Sequence, residues 1–256
     1  MIYYYKNVLR SGRISLEIQG PAFRFGLGFF ETLFFNGKKI RLLDTHLKRL
    51  FASMDAYRIP YQTPDFEDVI LLVLKENSLE HGFARVNIYY PVDKEGVPAE
   101  PVIAAFPYSP KPDRTYALEI SPRPFHSPLG AHKTMNYMYY HLERAAALKN
   151  GFDDALITDP KGRLLETSTA SLLFYDGKTF VSPTAENRLP GTAEAVAASI
   201  LRPKSRPIGV QDLALFKHAY VLNSLIGMKP VTRIGDLEFE PDAKTCERVS
   251  RQVLFS

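Results

Sequence analysis

Residues 154–174 read DALITDPKGRLLETSTASLLF. Two short apolar runs, "ALIT" and "RLLET", flank Asp159-Pro160-Lys161-Gly162, whose aspartate, proline and glycine suit a reverse turn, so the stretch predicts a β-hairpin. The second run reaches Glu166 and is followed at once by Thr167, Ser168, Thr169 and Ser171. One carboxylate and four hydroxyls set among apolar residues predict the polar edge of a pocket, because such groups are costly to bury without partners.

Outward from this hairpin, "YALEISP" predicts a strand and "YMYYHLERAAALKNG" a helix. A second hairpin turns at Asp176-Gly177-Lys178, a helix follows Leu189-Pro190-Gly191, and further strands run through "AYVLNSL" and "PVTRI". Upstream, Leu47, Leu50, Phe51 and Met54 in "HLKRLFASMDAY" and Val69, Ile70, Val73 and Leu74 in "DFEDVILLVLKEN" have helical spacing. The segments "GKKIRLL", "ARVNIYY" and "PVIAAFPY" have the length and β-branched or aromatic content of strands. The proline-rich break "YSPKPDRT" separates the two halves. These features predict an α/β domain over residues 1–108, a linker over 109–114 and a strand-rich second domain over 115–256.

A chain of 256 residues with 45% hydrophobic content has enough apolar surface for two such cores. The net charge of only +4, with basic residues scattered, points away from nucleic-acid and membrane-surface partners. A single cysteine, Cys246, excludes an internal disulfide and a Cys-rich zinc site. No apolar run of spanning length and no signal-peptide pattern is present, so a soluble cytoplasmic protein is expected.

Motifs for metal hydrolysis, serine catalysis and a complete Walker loop are absent. In "FRFGLGFFET", Gly26 and Gly28 lack the third glycine of a dinucleotide fingerprint and read as a tight turn between strands. Glu31 and Thr32 then begin a strand, with a fold role. Other residues are more suggestive. Residues 131–140, AHKTMNYMYY, place Lys133 at the mouth of an aromatic run, and burying an ammonium there needs pairing, neutralisation or covalent use. Gly191 and Thr192, directly before a helix, offer backbone N–H groups and a hydroxyl to a phosphate. Arg49 is a candidate fork for a phosphate dianion, and Asn223 and Ser224 stand at a strand end. A Schiff-base amine, a carboxylate for a pyridine nitrogen and a phosphate cup together suit pyridoxal 5'-phosphate.

Through "FGLGFFET" with "HLKRLFAS", then "KTMNY", "NGFDDALITDPKGRLLETSTASLLF", "LPGT" and "NSLIGMKPV", the chain resembles the fold-type IV pyridoxal-phosphate enzymes. This is the class-IV aminotransferase family, with branched-chain and D-amino-acid aminotransferases and 4-amino-4-deoxychorismate lyase. The resemblance implies a two-domain α/β (α+β) fold, a smaller N-terminal α/β sandwich and a larger C-terminal pseudo-barrel, assembled as a homodimer. It makes Lys133 the catalytic Schiff-base lysine, buried because covalently used, and Glu166 the partner of the pyridine nitrogen. It gives the phosphate to Arg49, Gly191, Thr192 and Ala193, the phenolic oxygen to Tyr137, and closure of the pocket to Asn223 and Ser224.

Two departures concern the substrate and the phosphate. The family loop L-x-G-I-T-R is here "LPGTAE", so Thr192 moves up one place, Ala193 takes its position and Glu194 replaces the arginine. The Arg-Gly that many relatives use for a substrate carboxylate is replaced by Tyr89 and Tyr90, which with Phe30 become the candidate substrate residues. The resemblance implies that the amino substrate reacts through an external aldimine. Its fate is expected to be elimination of pyruvate, as in 4-amino-4-deoxychorismate lyase of folate biosynthesis, because "NSLIGMKPV" resembles the lyase pattern. Transamination of D- or branched-chain amino acids is the alternative, and a catalytically silent cofactor-binding protein the rival of another class.

Overall fold

The computed structural model describes residues 1–256. Packing groups Met1–Pro110 with His132–Tyr137 in one compact unit, and Lys111–Ala131 with Met138–Ser256 in a second. The short segment carrying Lys133 therefore packs with the first unit, although the chain on either side of it belongs to the second.

The first unit opens with a hairpin of β1 (Ile2–Tyr5) and β2 (Val8–Ser11), turned by Lys6 and Asn7, both at positive φ. A short helix α1 (Pro21–Phe25) precedes β3 (Gly28–Asn36), then come α2 (Leu43–Ala56), α3 (Phe66–Glu76), β4 (Phe83–Pro91) and β5 (Val102–Pro107). The five strands pair in the order β2-β1-β5-β4-β3, antiparallel throughout. Strand alternation divides the sheet's two faces. Leu33 and Phe35 of β3, Val86, Ile88 and Tyr90 of β4, and Ile103 of β5 meet Leu50 and Met54 of α2 and Ile70, Val73 and Leu74 of α3 in one core. Tyr3, Tyr5, Val102 and Ala104 cluster separately, with Tyr89 packed against them.

Both helices form where the apolar spacing places them, and Asp65 caps α3 by accepting from the Asp68 N–H. The predicted strand "GKKIRLL" does not form. Ile40 makes only an isolated bridge to Phe35, and Leu42 turns to φ 54 so that α2 starts at the next residue. The expected tight turn between strands at Gly26 lies instead between α1 and β3, with Gly26 closing the helix at φ 65.

The second unit contains β6 (Tyr116–Ile120), α4 (Met138–Lys149), β7 (Asp154–Thr158), β8 (Leu164–Thr167), β9 (Ser171–Tyr175) and β10 (Phe180–Pro183). It continues with α5 (Thr192–Leu201), β11 (Lys204–Arg206), β12 (His218–Asn223), β13 (Gly227–Ile234), β14 (Leu237–Glu238) and α6 (Ala243–Leu254). Its nine strands make a curled mixed sheet in the order β11-β10-β9-β12-β13-β6-β7-β8, with β14 on β13. The β7–β8 and β9–β10 pairs are the two hairpins expected from "DPKG" and "DGK". Leu118, Leu156, Leu172, Phe174, Val221 and Val231 fill the core. No helix in either unit is long and apolar enough to cross a membrane.

Candidate active site

In the first unit, the lysine segment lies along the start of β3 as a short antiparallel partner. Phe30 N–H donates to the Lys133 carbonyl at 2.9 Å, Met135 N–H donates to the Gly28 carbonyl at 2.8 Å, and Phe29 bridges Thr134. The two glycines of "FGLGFF" make this approach possible. A Cβ on Gly28, at φ 153, would meet the Tyr90 carbonyl oxygen at 2.4 Å and Met135 Sδ at 2.7 Å, and one on Gly26 would press on Asn136 at 3.2 Å.

Lys133 is half-buried, not buried as expected, and lies in an extended segment, with α4 beginning five residues later. Its Nζ lies 4.4 Å from the ring centre of Phe30 and 5.0 Å from that of Tyr137. The two rings meet edge to face at 5.4 Å, and Tyr89 stacks on Phe30 at 6.0 Å. Aromatic faces of this kind attract a cation and exclude water from one side of an amine. The neighbouring His132 is fixed by a 2.9 Å hydrogen bond between Nδ1 and Ser53 Oγ, with its ring against Tyr57 at 5.0 Å. Burial pushes the pKa of His132 below its ordinary value.

Phe30 and Tyr89 pair across β3 and β4 and share the face that carries Lys133. Tyr90 does not: one residue on, it points to the helix face, is fully buried and donates its hydroxyl to the Gln62 carbonyl at 2.6 Å. It is a core residue, which corrects its expected place beside the substrate.

Arg49 projects from α2 onto β3, where its Nε and Nη2 grip the two oxygens of Glu31 at 2.7 Å each. Glu31 is fully buried, and His46 Nδ1 stands 2.6 Å from its Oε2. Burial raises the pKa of Glu31, but the His46 hydrogen bond and the Arg49 charge outweigh it and hold the pKa at about 2. The fold role expected for Glu31 is thus an ion-paired one, with Arg49 Nε and Nη2 as its partners.

In the second unit, Glu166 sits on β8, 6% exposed, and accepts from the Tyr140 hydroxyl at 2.9 Å on Oε1. Three of the four hydroxyls that follow it belong to a different carboxylate. Thr167 and Thr169 donate to Asp154 Oδ2 at 2.8 and 2.6 Å, Ser168 donates to Oδ1, and the Ala155 N–H adds a fourth bond at 2.8 Å. Asp154 is 1% exposed. The "TST" run therefore builds a structural knot at the base of the β8–β9 turn rather than a pocket edge around Glu166.

At the start of α5, Gly191 is the N-cap, no side chain caps the helix, and Thr192 and Ala193 are buried behind it. A Cβ on Gly191 would sit 2.2 Å from Ser171 Oγ, so any larger residue there would have to displace that hydroxyl. Glu194, in the place of the family's arginine, is neutralised. Arg188 Nη2 pairs with its Oε2 and Ser182 Oγ donates to its Oε1 at 2.7 Å. The first turn thus carries no net negative charge against a phosphate. Asn223 shapes its own turn, accepting from the Leu225 and Ile226 N–H groups at 2.9 Å and donating to the Thr169 carbonyl at 3.1 Å, with Ser224 buried beside it.

The first unit supplies an amine among aromatic rings, and the second a buried carboxylate and a glycine cradle at an uncapped helix start; each is a kind of group that pyridoxal phosphate requires, so the residues present fit the cofactor. Sequence reasoning missed Tyr140, Asp154 and Arg188. The tyrosine was readable only as part of an aromatic helix start, and nothing local distinguishes Asp154 from the adjacent Asp153.

Comparison with known proteins agrees with this donor set. The family described as "Amino-transferase class IV" matches residues 28–234. A probable branched-chain-amino-acid aminotransferase of Rickettsia felis is 23% identical over 217 residues, covering 78% of this chain and 74% of that protein. Among solved structures, the branched-chain aminotransferase of Thermoproteus uzoniensis with norvaline superposes with a TM-score of 0.89 at 16% identity, covering 99% of this chain and 94% of that one. A putative 4-amino-4-deoxychorismate lyase from Legionella pneumophila gives a TM-score of 0.81 at 21% identity and 93% of each chain. The chain belongs to the class-IV aminotransferase family, has its fold-type IV architecture and is a pyridoxal-phosphate enzyme.

Proposed function

We propose that this protein is an aminotransferase for amino acids with apolar side chains, in the manner of the branched-chain enzymes, and not primarily a 4-amino-4-deoxychorismate lyase. The observation that carries the reading is the surface around Lys133: rings of Phe30, Tyr137 and Tyr89 offer an apolar side chain contact area. The curated relatives are named as probable branched-chain aminotransferases, which supports the same direction. The expectation of a lyase rested on "NSLIGMKPV". Asn223 there is explained by the turn it builds, so its identity says little about the substrate.

Bound pyridoxal phosphate supplies an aldehyde that condenses with amines and a conjugated ring that takes up an electron pair. In this reading Lys133 Nζ would hold the cofactor between turnovers, accept the proton from the substrate carbon on one side of the amino nitrogen, and return it to the carbon on the other side of that nitrogen. The Glu166 carboxylate would accept a hydrogen bond from the protonated ring nitrogen. The α5 N–H groups behind Gly191, together with Thr192 and Ala193, hold the phosphate, with Arg49, Asn223 and Ser224 contributing to that end of the site. Tyr137 serves the phenolic oxygen. A cytoplasmic homodimer is the expected form of the enzyme.

The test is a half-reaction. Holoenzyme mixed with L-leucine or L-norvaline, and no keto acid, is expected to convert its cofactor to the pyridoxamine form and release one keto acid per site. Conversion with D-alanine alone would move the assignment to D-amino acids. Pyruvate release from aminodeoxychorismate, with no conversion by any amino acid, would overturn it in favour of the lyase.

A further inference from the structure

Helix α4 buries Tyr140, Glu143 and Ala147, a stripe at helical spacing. Two of these three residues are polar. Glu143, 2% exposed, is the anchor: Ser121 Oγ donates to its Oε2 and Arg123 Nε to its Oε1 at 2.6 Å. The Tyr139 hydroxyl donates to the Arg123 carbonyl, so the first two turns of α4 are tied, through Tyr139 and Glu143, to the loop after β6. This fixes the direction in which Tyr140 leaves the helix. Its ring packs 5.2 Å from Phe125 and 5.5 Å, edge on, from Tyr139.

Phenylalanine would fill that space as well. The hydroxyl is accounted for by its acceptor, the Glu166 carboxylate 2.9 Å away, with both residues under one-tenth exposed. A neutral O–H donated to a carboxylate stabilises negative charge on it and reduces its appetite for a further proton. Out of reach of bulk water, no solvent donor replaces it cheaply.

We propose that Tyr140 is a positioning residue for Glu166. Its hydroxyl fixes the orientation of the carboxylate and, by drawing charge onto Oε1, keeps the proton shared between Glu166 and the cofactor's ring nitrogen on the nitrogen. This rests on the reading of Glu166 as the ring-nitrogen partner. No bond is made or broken by Tyr140; it sets where one proton resides, and hence how strongly the ring draws electrons when Lys133 removes the substrate proton.

The test uses holoenzyme reconstituted with pyridoxal phosphate carrying ¹⁵N in its ring, for the parent, Tyr140→Phe and Glu166→Gln. Tyr140→Phe is expected to move the ring nitrogen resonance from the pyridinium toward the neutral pyridine position. Its kcat falls about tenfold, the scale of one hydrogen bond to a charged group, with KM held within about twofold. Glu166→Gln moves the resonance further in the same direction. A resonance that moves in Glu166→Gln and stays at the parent's position in Tyr140→Phe would leave Tyr140 as a packing residue and overturn the proposal. A resonance unmoved in both variants would overturn the ring-nitrogen reading of Glu166, and the proposal with it. Far-UV circular dichroism matching the parent's certifies the Tyr140→Phe fold, and a pyridinium signal retained in that folded variant counts against the proposal.

Discussion

Glu31→Gln removes the charge at the centre of the first unit's buried ion group while keeping the shape of the side chain. The native carboxyl titrates at about 2 against an ordinary 4.5. The gap of about 2.5 units, at 1.36 kcal/mol per unit, corresponds to about 3 kcal/mol of stability linked to ionisation. Because the folded pKa is depressed, that stability is fully present above pH 4.5 and is lost as pH falls toward 2. At neutral pH the variant also leaves Arg49 and His46 facing an uncharged amide, so a destabilisation of about 3–5 kcal/mol is expected. The assay is urea unfolding of the apoprotein at neutral pH and at about pH 3, with Arg49→Met and the double variant completing a cycle. The parent should lose stability between those conditions by more than Glu31→Gln does, and the cycle should show a coupling of about 2 kcal/mol or more. Parallel pH dependence in parent and variant, or a coupling under about 0.5 kcal/mol, would refute the assignment of this group as a fold anchor.

Gly191→Ala forces a Cβ to 2.2 Å from Ser171 Oγ, so stability should fall by about 1–3 kcal/mol and cofactor affinity with it; adding Ser171→Ala should restore both, as read by melting and by fluorescence titration with pyridoxal phosphate. Asp154→Ala strands the buried hydroxyls of Thr167 and Ser168 and should cost about 3 kcal/mol by urea unfolding. Tyr90→Phe should cost about 1 kcal/mol of stability and leave turnover unchanged, since its hydroxyl meets only the Gln62 carbonyl, whereas Tyr89→Ala should change the ranking of amino-acid substrates in kcat/KM.

The elements legible in the sequence were those whose apolar residues follow one period. Leu50 and Met54, and Ile70, Val73 and Leu74, identify α2 and α3 because a helix with one buried face repeats its apolar positions every three or four residues. The hairpins at Asp159 and Asp176 were readable from turn chemistry. The β1–β2 hairpin was not, because Tyr3, Tyr4 and Tyr5 are all buried and show no alternation. Helix α6 escaped notice although Cys246, Val249 and Val253 keep helical spacing, because these few apolar positions stand among charged and polar residues.

At the site, local sequence revealed which residue types were present but not which groups would pair. Glu166 and the hydroxyls after it are adjacent in the chain, yet the β7–β8 register delivers the hydroxyls to Asp154 and leaves Tyr140, 26 residues upstream, for Glu166. Glu31 and Arg49 are 18 residues apart and join only because α2 packs on β3. Conversely, the glycines at 26 and 28 looked like a turn signal, and their close approach to the lysine segment becomes visible only when the backbones are placed together.

The central claim, that Lys133 carries the cofactor of an aminotransferase, is tested most directly by reducing the holoenzyme with borohydride and mapping the modified residue by peptide mass spectrometry. The account predicts one pyridoxyl group per chain, on Lys133, and a Lys133→Ala protein that keeps its fold but loses the yellow colour, the label and all turnover. Labelling of another lysine, or a yellow and active Lys133→Ala, would contradict it.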